Sequence, residues 1–306
     1  TAHFGKWHLS YYSEERVGDS EDFRNFQFGG ELAGQPSMDG YGYDYWLGSG
    51  NVARPNHEDP LNFFLNGEAL GATDGFSAQL VAAEFVKWVQ EVRREGQPFF
   101  VTVWFHEPHG PVNSDPAFVA RYQDLDDPSL QQYYANVTQL DEAVGTIVAA
   151  LKAAGVYDET MIWYTSDNGP EGYHPFGTFN QSDNPYDGSR YRGSTGGLRG
   201  RKRETHEGGI RVPTIVSWPA GLEAAGVPPG SVSAVPVIGS DVLSTMLAAA
   251  GVAVPAEVAL DSTSILPLLQ GQPLERSRPL FWRNSYQWRG DYTFEVAIRE
   301  GDWKLV

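Results

Sequence analysis

Residues 99–105 read FFVTVWF, and this run of β-branched and aromatic side chains predicts a buried strand. An amphipathic helix is predicted immediately before it, over residues 77–95, because apolar side chains recur there at helical spacing. A second helix is predicted over residues 128–154, and residues 160–165, TMIWYT, predict another strand. This alternation indicates an α/β fold with a mostly parallel or mixed central sheet and helices on both faces.

The C-terminal half continues the pattern and then changes. Four elements are predicted there: a strand at 212–218, a helix at 240–250, and strands of an edge or appended sheet at 279–282 and 294–299. We therefore expect a catalytic domain over residues 1–276 and the beginning of a small α+β subdomain over residues 277–306. The stretches 16–75 and 171–197 are rich in Gly, Asn, Asp, Pro and Tyr. Such long connections in a compact domain indicate functional loops.

Composition excludes several classes of protein. The 306 residues carry a formal charge of −17, from 22 Lys and Arg against 39 Asp and Glu. An acidic chain of this kind repels nucleic acid and anionic membranes, so we expect no nucleic-acid partner. We also expect no membrane span, because no apolar run approaches the roughly 20 residues that a spanning helix requires. The absence of cysteine excludes a disulfide framework, a thiolate metal site and a cysteine nucleophile within these residues.

Polar residues follow three of the predicted strands. GKWH at 5–8 follows a short strand-like run, HEPHGP at 106–111 follows the strand at 99–105, and SDNGP at 166–170 follows the strand at 160–165. In open α/β sheets, ligands bind beyond the carboxyl ends of the strands. The sequence therefore predicts that these three strand ends bring Lys, His, Asp and Asn side chains to one rim of the sheet.

Two of these strand ends offer different chemistry. Asp167 and Asn168 supply hard oxygen donors, which suit Ca²⁺ or Mg²⁺ rather than zinc. The alternative is an Asx turn that caps the strand, and two oxygens are too few for Ca²⁺, which takes 6–8. His109 is predicted to act as a general acid or an anion ligand. For His106, the same role and a purely structural hydrogen bond within its loop stay open.

A cluster of cations stands out against the acidic background. Five Lys and Arg side chains occupy the 13 positions from Arg199 to Arg211, interleaved with glycines and leading into the strand at 212–218. Charge runs often form a solvated surface. Here the glycines leave backbone N–H groups accessible beside the cations, an arrangement that holds oxyanions. The sequence therefore predicts an anionic ligand.

These motifs together resemble those of the type I sulfatases, a family of the alkaline phosphatase superfamily. The segments that carry the resemblance, in the family's order, are GKWH at 5–8, PHGP at 108–111, SDNG at 166–169, LRGRK at 198–202 and EGG at 207–209. Residues 56–63, NHEDPLNF, also resemble an insertion of sulfatases that act on carbohydrates. The resemblance implies an alkaline-phosphatase-like fold and a calcium-dependent sulfuric ester hydrolase whose substrate is a sulfated sugar.

The resemblance also implies residue roles. Asp167 and Asn168 would be ligands of Ca²⁺, or of Mg²⁺ in its place. His109 would donate a proton to the leaving alcohol, and His8 would position or deprotonate the nucleophile. Lys6 and Lys202 would bind the sulfate and stabilise charge as the S–O bond breaks. The full set of predicted substrate contacts is Lys6, His106, Arg190, Lys202 and His206, although the family has an aromatic residue where His206 stands.

The long loops are expected to surround the sugar. The loop residues assigned to this surface are Asn51, Arg54, His57, Glu58, Tyr186, Arg190, Tyr191 and Arg192. Fold-level analogy does not identify the sugar or the position of its sulfate.

One departure from the family concerns the nucleophile. Sulfatases use a formylglycine made within a Cys/Ser-x-Pro-x-Arg signature, together with two further aspartate ligands, and this sequence lacks the signature. In the family both features precede the GKWH motif. The chain is therefore expected to be an internal fragment that is inactive alone, from a protein that the resemblance expects to be exported.

Two other functions stay open. A phosphoesterase or phosphonate hydrolase of the same superfamily is disfavoured because two-zinc members commonly have His where Asn168 stands. A catalytically degenerate sugar-binding homologue is the second, since the chain has nine Trp and fifteen Tyr. Aromatic side chains in loops stack on sugars, although most belong to the core.

Overall fold

The computed structural model describes residues 1–7, 38–50, 52–172, 189–255, 257–288 and 291–306. The chain divides into two compact units. Unit 1 contains Thr1–Ala154 and Tyr173–Gly193, and unit 2 contains Gly155–Gly172 and Ser194–Val306. Among the described residues, no helix combines the length and apolar character needed to cross a bilayer.

Unit 1 is built on a five-stranded mixed sheet. Its strands are β1 Ala2–Lys6, β2 Tyr45–Ser49, β3 Phe64–Leu65, β4 Glu68–Ala69 and β5 Val101–Trp104, in the order β4-β3-β2-β1-β5. Strand β1 pairs in parallel with β2 on one side and β5 on the other. The carboxyl ends of these three strands therefore lie at the same edge, and the antiparallel β2-β3-β4 meander completes the sheet.

Helices cover this sheet as the periodicity predicts. Helix α1 spans Ser77–Lys87 and continues as a π-helical turn to Val92, so the predicted helix ends earlier than residue 95. Its buried stripe includes Val81 and Phe85, and the Phe85 ring lies 5.6 Å from that of Phe4 in β1. Helix α2 spans Pro116–Val119. Helix α3 spans Pro128–Ala153, packs against α1, and begins where the Asp127 carboxylate accepts the backbone N–H of Ser129 at 2.9 Å.

Two expectations for unit 1 are corrected. The stretch 16–75 was predicted as loop, but its described part contains β2, β3 and β4, because aromatic side chains such as Trp46 pack into a core with Trp7, Met38 and Phe64. Strand β5 was predicted to be buried. It is the edge strand among the described strands, and the side chains of Phe100 and Trp104 are 45% and 40% exposed.

Unit 2 contains two small sheets. Strands β6 Ile162–Thr165 and β7 Thr214–Ser217 pair antiparallel, in contrast to the parallel pairing that the helix–strand alternation favoured. The helices are α4 Glu207–Ile210, α5 Pro219–Ala224, α6 Asp241–Ala249 and α7 Leu266–Leu269. Strands β8 Leu280–Trp288, β9 Asp291–Glu300 and β10 Trp303–Leu305 form an antiparallel sheet in the order β10-β9-β8.

The three-stranded sheet confirms that an appended sheet lies near the C-terminus. Its strands β8 and β9 are longer than the predicted runs at 279–282 and 294–299. Antiparallel cross-strand pairing extends the strands beyond the apolar residues that marked them in the sequence. The boundary at residue 276 between catalytic domain and subdomain stays a prediction.

Candidate active site

The parallel edge of the unit 1 sheet places Lys6 beside the end of β5. Lys6 is the last residue of β1 and pairs with Ser49, the last residue of β2. Gly5 precedes it with φ +106°, and a Cβ there would lie 2.1 Å from the carbonyl oxygen of Trp104. Glycine is therefore required at position 5 for β1 to approach β5 this closely.

His106 lies inside the unit rather than at its surface. Its side chain is 2% exposed, and its Nε2 lies 2.6 Å from Oγ of Ser49. Burial lowers its pKa well below the ordinary value, and the nearby charges of His57 and Lys6 lower it further. The ring is therefore neutral at neutral pH. The geometry favours a structural role for His106 over the predicted contact with substrate.

His109 presents a half-buried imidazole in a loop that folds back on itself. Its backbone N–H donates to the carbonyl of His106 at 2.7 Å, and its Nδ1 lies 2.7 Å from the carbonyl oxygen of Gly110. Because a carbonyl only accepts, Nδ1 carries the hydrogen in this contact. Nε2 is then the nitrogen that takes up or releases a proton, as a general acid at this position requires.

Two buried side chains hold the loop that carries His109. The Glu107 carboxylate is 5% exposed and accepts from the hydroxyl of Ser77 at 2.5 Å and the backbone N–H of Ala78 at 2.9 Å, at the start of α1. His57, 1% exposed, accepts from the amide of Asn136 at 3.1 Å and also forms a hydrogen bond with the backbone of His109. Burial lowers the pKa of His57. The expectation that His57 surrounds a sugar is therefore wrong for this structure.

Arg190 lies against the same loop. A Cβ at Gly110 would approach Cδ of Arg190 to 3.1 Å, so the aliphatic part of the arginine packs on the residue that follows His109. The neighbouring Arg192 forms an ion pair of 2.7 Å with Asp127, which ties this segment to the start of α3. The predicted substrate contact Arg190 is thus brought next to His109 within unit 1.

In unit 2, the turn after β6 exposes two oxygen donors. Asp167 is exposed, and the described residues supply it with no hydrogen bond or ion pair. Asn168 donates its amide to the carbonyl of Gly169 at 2.8 Å. Gly169 is buried under the backbone of the Gly208-Gly209 segment, where a Cβ would lie 1.9 Å from the carbonyl oxygen of Gly208. The turn is therefore held rigidly from below while its carboxylate faces outward.

The Asp167-Asn168-Gly169 turn supplies some of the oxygen ligands that a hard cation needs. A carboxylate and an amide carbonyl are ligands that Ca²⁺ prefers. The amide nitrogen of Asn168 is engaged with Gly169, so its carbonyl oxygen is the atom left for a metal. Across the described ranges, no group of three or more His, Cys, Asp or Glu side chains gathers around a metal-sized space. Asp167 and Asn168 therefore supply two ligands, and the others must come from elsewhere.

Lys202 lies in a loop that is bound directly to this turn. Its backbone N–H donates to the carbonyl of Pro170 at 3.0 Å. The flanking Arg201 donates to the carbonyl of Glu171 at 2.7 Å, and the flanking Arg203 forms a two-point ion pair with the Glu171 carboxylate, whose longer contact is 3.0 Å. Three consecutive residues of the cationic cluster thus contact the two residues that follow the Asp167-Asn168-Gly169 turn.

The structure brings the predicted residues together in two groups. Lys6, His109 and Arg190 lie in unit 1, whereas Asp167, Asn168 and Lys202 lie in unit 2. His206 directly precedes α4 and packs against Gly200, where an added Cβ would lie 2.7 Å from the Cβ of His206. His8, Asn51 and Tyr186 lie outside the described residues. The convergence of all three strand ends on one rim stays a prediction.

Several anchoring residues were missed by sequence reasoning. Ser49, Glu107, Glu171 and Arg203 each hold a loop that carries a predicted functional residue. The signal in the sequence was position for two of them, since Glu107 lies two residues after the predicted strand end at 105 and Arg203 directly follows Lys202, whereas no predicted strand end lies close to Ser49 or Glu171. Burial of a carboxylate such as Glu171, which is 7% exposed, follows from packing that the sequence pattern does not encode.

Comparison with known proteins relates the chain to the sulfatases. A family model described as Sulfatase matches residues 1–252. The chain is 30% identical over 292 residues to the uncharacterized sulfatase YdeN of Escherichia coli (strain K12), covering 94% of this chain and 48% of that protein. It is 29% identical over 282 residues to N-acetylgalactosamine-6-sulfatase of Canis lupus familiaris, covering 84% and 47%. The chain spans about half the length of these curated relatives.

A solved structure shares the fold. The crystal structure of Ps i-CgsB in complex with k-i-k-neocarrahexaose matches with a TM-score of 0.75 and 23% identity, over 99% of this chain and 61% of that one. At this identity the likeness establishes the fold alone. The predicted α/β class, with a mixed central sheet, helices and a small C-terminal sheet of alkaline-phosphatase-like type, is confirmed.

Proposed function

Because the chain belongs to the sulfatase family, we propose that the complete protein is a sulfuric ester hydrolase that removes sulfate from a sulfated carbohydrate. The hydrogen bond from the backbone N–H of Lys202 to the carbonyl of Pro170, 3.0 Å, carries the proposal. It holds a cationic loop against the turn that exposes Asp167 and Asn168. A metal cation held by these two residues and the ammonium of Lys202 would together bind an oxyanion, such as a sulfate group, through two of its oxygens.

The roles proposed for two residues of unit 1 come from the motifs that resemble those of the sulfatases. Lys6 ends β1 and presents a second ammonium group for the sulfate oxygens. His109 holds a hydrogen on Nδ1 through Gly110, so its Nε2 delivers the proton that the sugar oxygen needs as the S–O bond breaks. A positive group or a proton donor at the bridging oxygen stabilises the transition state more than the ground state, because negative charge accumulates on that oxygen only as the S–O bond breaks.

Metal and nucleophile complete the proposal. Asp167 and Asn168 would hold Ca²⁺, or Mg²⁺ in its place, and the bound cation would supply further positive charge to the sulfate oxygens. The Cys/Ser-x-Pro-x-Arg signature is absent from this sequence, so we propose that a formylglycine nucleophile belongs to another part of the complete protein. His8 is proposed to act beside that nucleophile. The 306 residues alone are accordingly expected to be inactive.

A carbohydrate substrate is supported by the relatives and by Arg190. One relative is named for the 6-sulfate of N-acetylgalactosamine, and the matched crystal structure contains k-i-k-neocarrahexaose. In this chain, Arg190 packs on Gly110 beside His109, where a guanidinium group suits hydroxyl oxygens or a second anionic group of a sugar. We propose that Arg190 contributes to sugar recognition.

The proposal is tested by a substrate screen with the full-length protein. Purified protein, supplied with Ca²⁺, is incubated with sulfated monosaccharides that each carry one sulfate at a defined position, and free sulfate is measured by ion chromatography. We expect release from one or a few positional isomers. Binding of these sugars without any release would instead support the degenerate sugar-binding homologue, and tight, activating zinc binding would support the phosphoesterase.

A further inference from the structure

The three-stranded sheet β8-β9-β10 contacts the segment that follows Lys202. The ammonium of Lys304 in β10 donates to the carbonyl of Thr205 at 2.7 Å and to the carboxylate of Glu207 at 2.8 Å. The carboxylate of Glu295 in β9 accepts from the backbone N–H of Thr205 at 2.8 Å and lies 3.3 Å from its hydroxyl. Two strands of the sheet thus bind both backbone polar groups of one residue, Thr205.

A third strand extends this contact toward Lys202. Asn284 in β8 lies directly opposite Glu295 in the sheet register, and its amide donates to the carbonyl of Arg203. Arg203 has φ +79°, a left-handed conformation that non-glycine residues rarely adopt. Its side chain is bound by Glu171 and its carbonyl by Asn284. This unusual backbone conformation, directly after Lys202, is therefore fixed from two sides.

The contacts are shielded from water, which strengthens them. Thr205 is 1% exposed, and the Lys304 side chain is 15% exposed with its ammonium 5.5 Å from the ring centre of Trp282. Burial raises the pKa of Glu207. The hydrogen bond and charge of Lys304, together with the charges of Arg299 and Arg211, lower this pKa by more, so the net shift is downward. The carboxylate is thus ionised and paired at neutral pH.

We propose that the sheet β8-β9-β10 positions Lys202, with Lys304 and Glu295 as positioning residues for the anion site. Residues 201–207 are held at both ends, by Pro170 and Glu171 after the Asp167-Asn168-Gly169 turn and by the three-stranded sheet at Thr205 and Glu207. Lys202 lies within this segment and is therefore presented in one direction. This inference rests on the proposed function only in taking Lys202 as a sulfate ligand, because the contacts themselves do not depend on it.

The test uses three variants and one control in the full-length protein. Lys304→Met removes both hydrogen bonds, and Glu295→Gln keeps the shape of the side chain but removes its charge. Lys304→Arg retains a cation and is the rescue. Lys87→Met is the control, since Lys87 lies on α1 in unit 1 with a 48% exposed side chain. The readouts are hydrogen exchange of the peptide spanning residues 198–210, the melting temperature, and kcat and KM for a sulfate ester.

We expect a local effect. Exchange in residues 198–210 rises about tenfold in Lys304→Met, while exchange elsewhere matches the wild-type protein. The value of kcat falls by about tenfold or more with a smaller change in KM, because misplacing a charge by about 1 Å costs up to a hundredfold in rate. Lys304→Arg recovers most of both losses, and Lys87→Met changes neither.

Several results overturn the proposal. They are unchanged exchange in residues 198–210, an increase spread over the whole chain with a lower melting temperature, or a loss of kcat that Lys304→Arg does not recover. If Lys304→Met does not fold, the isosteric Glu295→Gln is judged by the same measurements of hydrogen exchange in residues 198–210, melting temperature and kcat. If the wild-type protein releases no sulfate, the proposed function fails, and the exchange measurement still decides whether the sheet holds this loop.

Discussion

His106 Nε2 and Ser49 Oγ lie 2.6 Å apart, although strand β1 separates β2, which ends at Ser49, from β5, which His106 follows. The contact joins the ends of β5 and β2 over the end of β1, where Lys6 lies. Both side chains are buried, with exposures of 2% and 0%. This bond fixes the spacing of three strand ends, and with it the position from which Lys6 is presented.

Ser49→Ala is expected to destabilise the protein measurably. The substitution leaves the buried Nε2 of His106 without its partner, which costs about 2 kcal/mol in free energy of unfolding. Urea denaturation of the full-length protein measures this change. Ser240→Ala is the matched control, because Ser240 precedes α6 with no side-chain capping bond and is exposed. Equal stability of the two variants would show that the contact contributes nothing.

His3 makes stability depend on pH. The ring is fully buried between Trp7 and Trp104, and this burial lowers its pKa to about 4. The folded pKa is below the unfolded value of 6.5, so the stabilisation from neutral His3 is complete above pH 6.5. It is lost as pH falls from 6.5 toward 4, by about 3 kcal/mol in total.

The variant His3→Asn isolates this contribution. Asparagine retains a polar group near Thr102, whose hydroxyl lies 2.7 Å from Nδ1 of His3, but does not titrate. The unfolding free energy of the variant is expected to fall less steeply than that of the wild-type protein between pH 6.5 and 4. Urea titrations at four pH values measure both slopes. Parallel slopes would assign the acid sensitivity to other groups, such as the buried His57 and His106.

The Glu171–Arg203 pair is expected to be costly to break. The Glu171 side chain is 6% exposed, so Arg203→Met leaves a buried carboxylate without its cation and destabilises the protein by about 3 kcal/mol. Adding Glu171→Leu should recover part of this loss, because it removes the unpaired charge. The exposed pair Arg121–Glu142, at 55% and 60% exposure, is the control, and Arg121→Met should cost less than about 1 kcal/mol. Similar losses of unfolding free energy at both pairs would show that burial does not make the Glu171–Arg203 pair more costly to break.

His109 is expected to matter most for poor leaving groups. His109→Ala should lower kcat/KM for a sulfated sugar by about a thousandfold, the usual contribution of a general acid. For an aryl sulfate, whose phenolate leaves without protonation, the loss should be at least tenfold smaller. Steady-state kinetics of the full-length protein on both esters measures the contrast. The same loss on both substrates would assign His109 to substrate binding instead.

Local patterns predicted the elements, while long-range contacts set the details. Helices 77–95 and 128–154 were found because their apolar spacing is carried within each segment. Strand β2 was missed because its short run lies among Gly, Asn and Asp residues, and only its pairing with β1 makes it a strand. The antiparallel pairing of β6 with β7 joins residues about 50 positions apart, which no local pattern records.

The site divides in the same way. Lys6, His109, Asp167, Asn168 and Lys202 were found because strand ends and a cation cluster are visible in the sequence. Their anchors were not, because Lys304 contacts Thr205 and Glu207 from almost 100 residues away. His57 was expected to surround the sugar, and for His106 a substrate contact and a structural hydrogen bond stayed open. Both side chains are buried, since a histidine's burial depends on the packing around it and not on its neighbours in sequence.

Selective release of sulfate that depends on Lys202 is the most direct test of the proposed function. The measurement compares kcat/KM of the full-length protein with Ca²⁺ on an aryl sulfate and on the matched aryl phosphate, for the wild-type protein and for Lys202→Ala. We predict faster hydrolysis of the sulfate ester and a loss of about a hundredfold in Lys202→Ala, as expected for removing one charge from the transition state. Faster release of phosphate, or a Lys202→Ala variant as active as the wild type, would contradict the proposal.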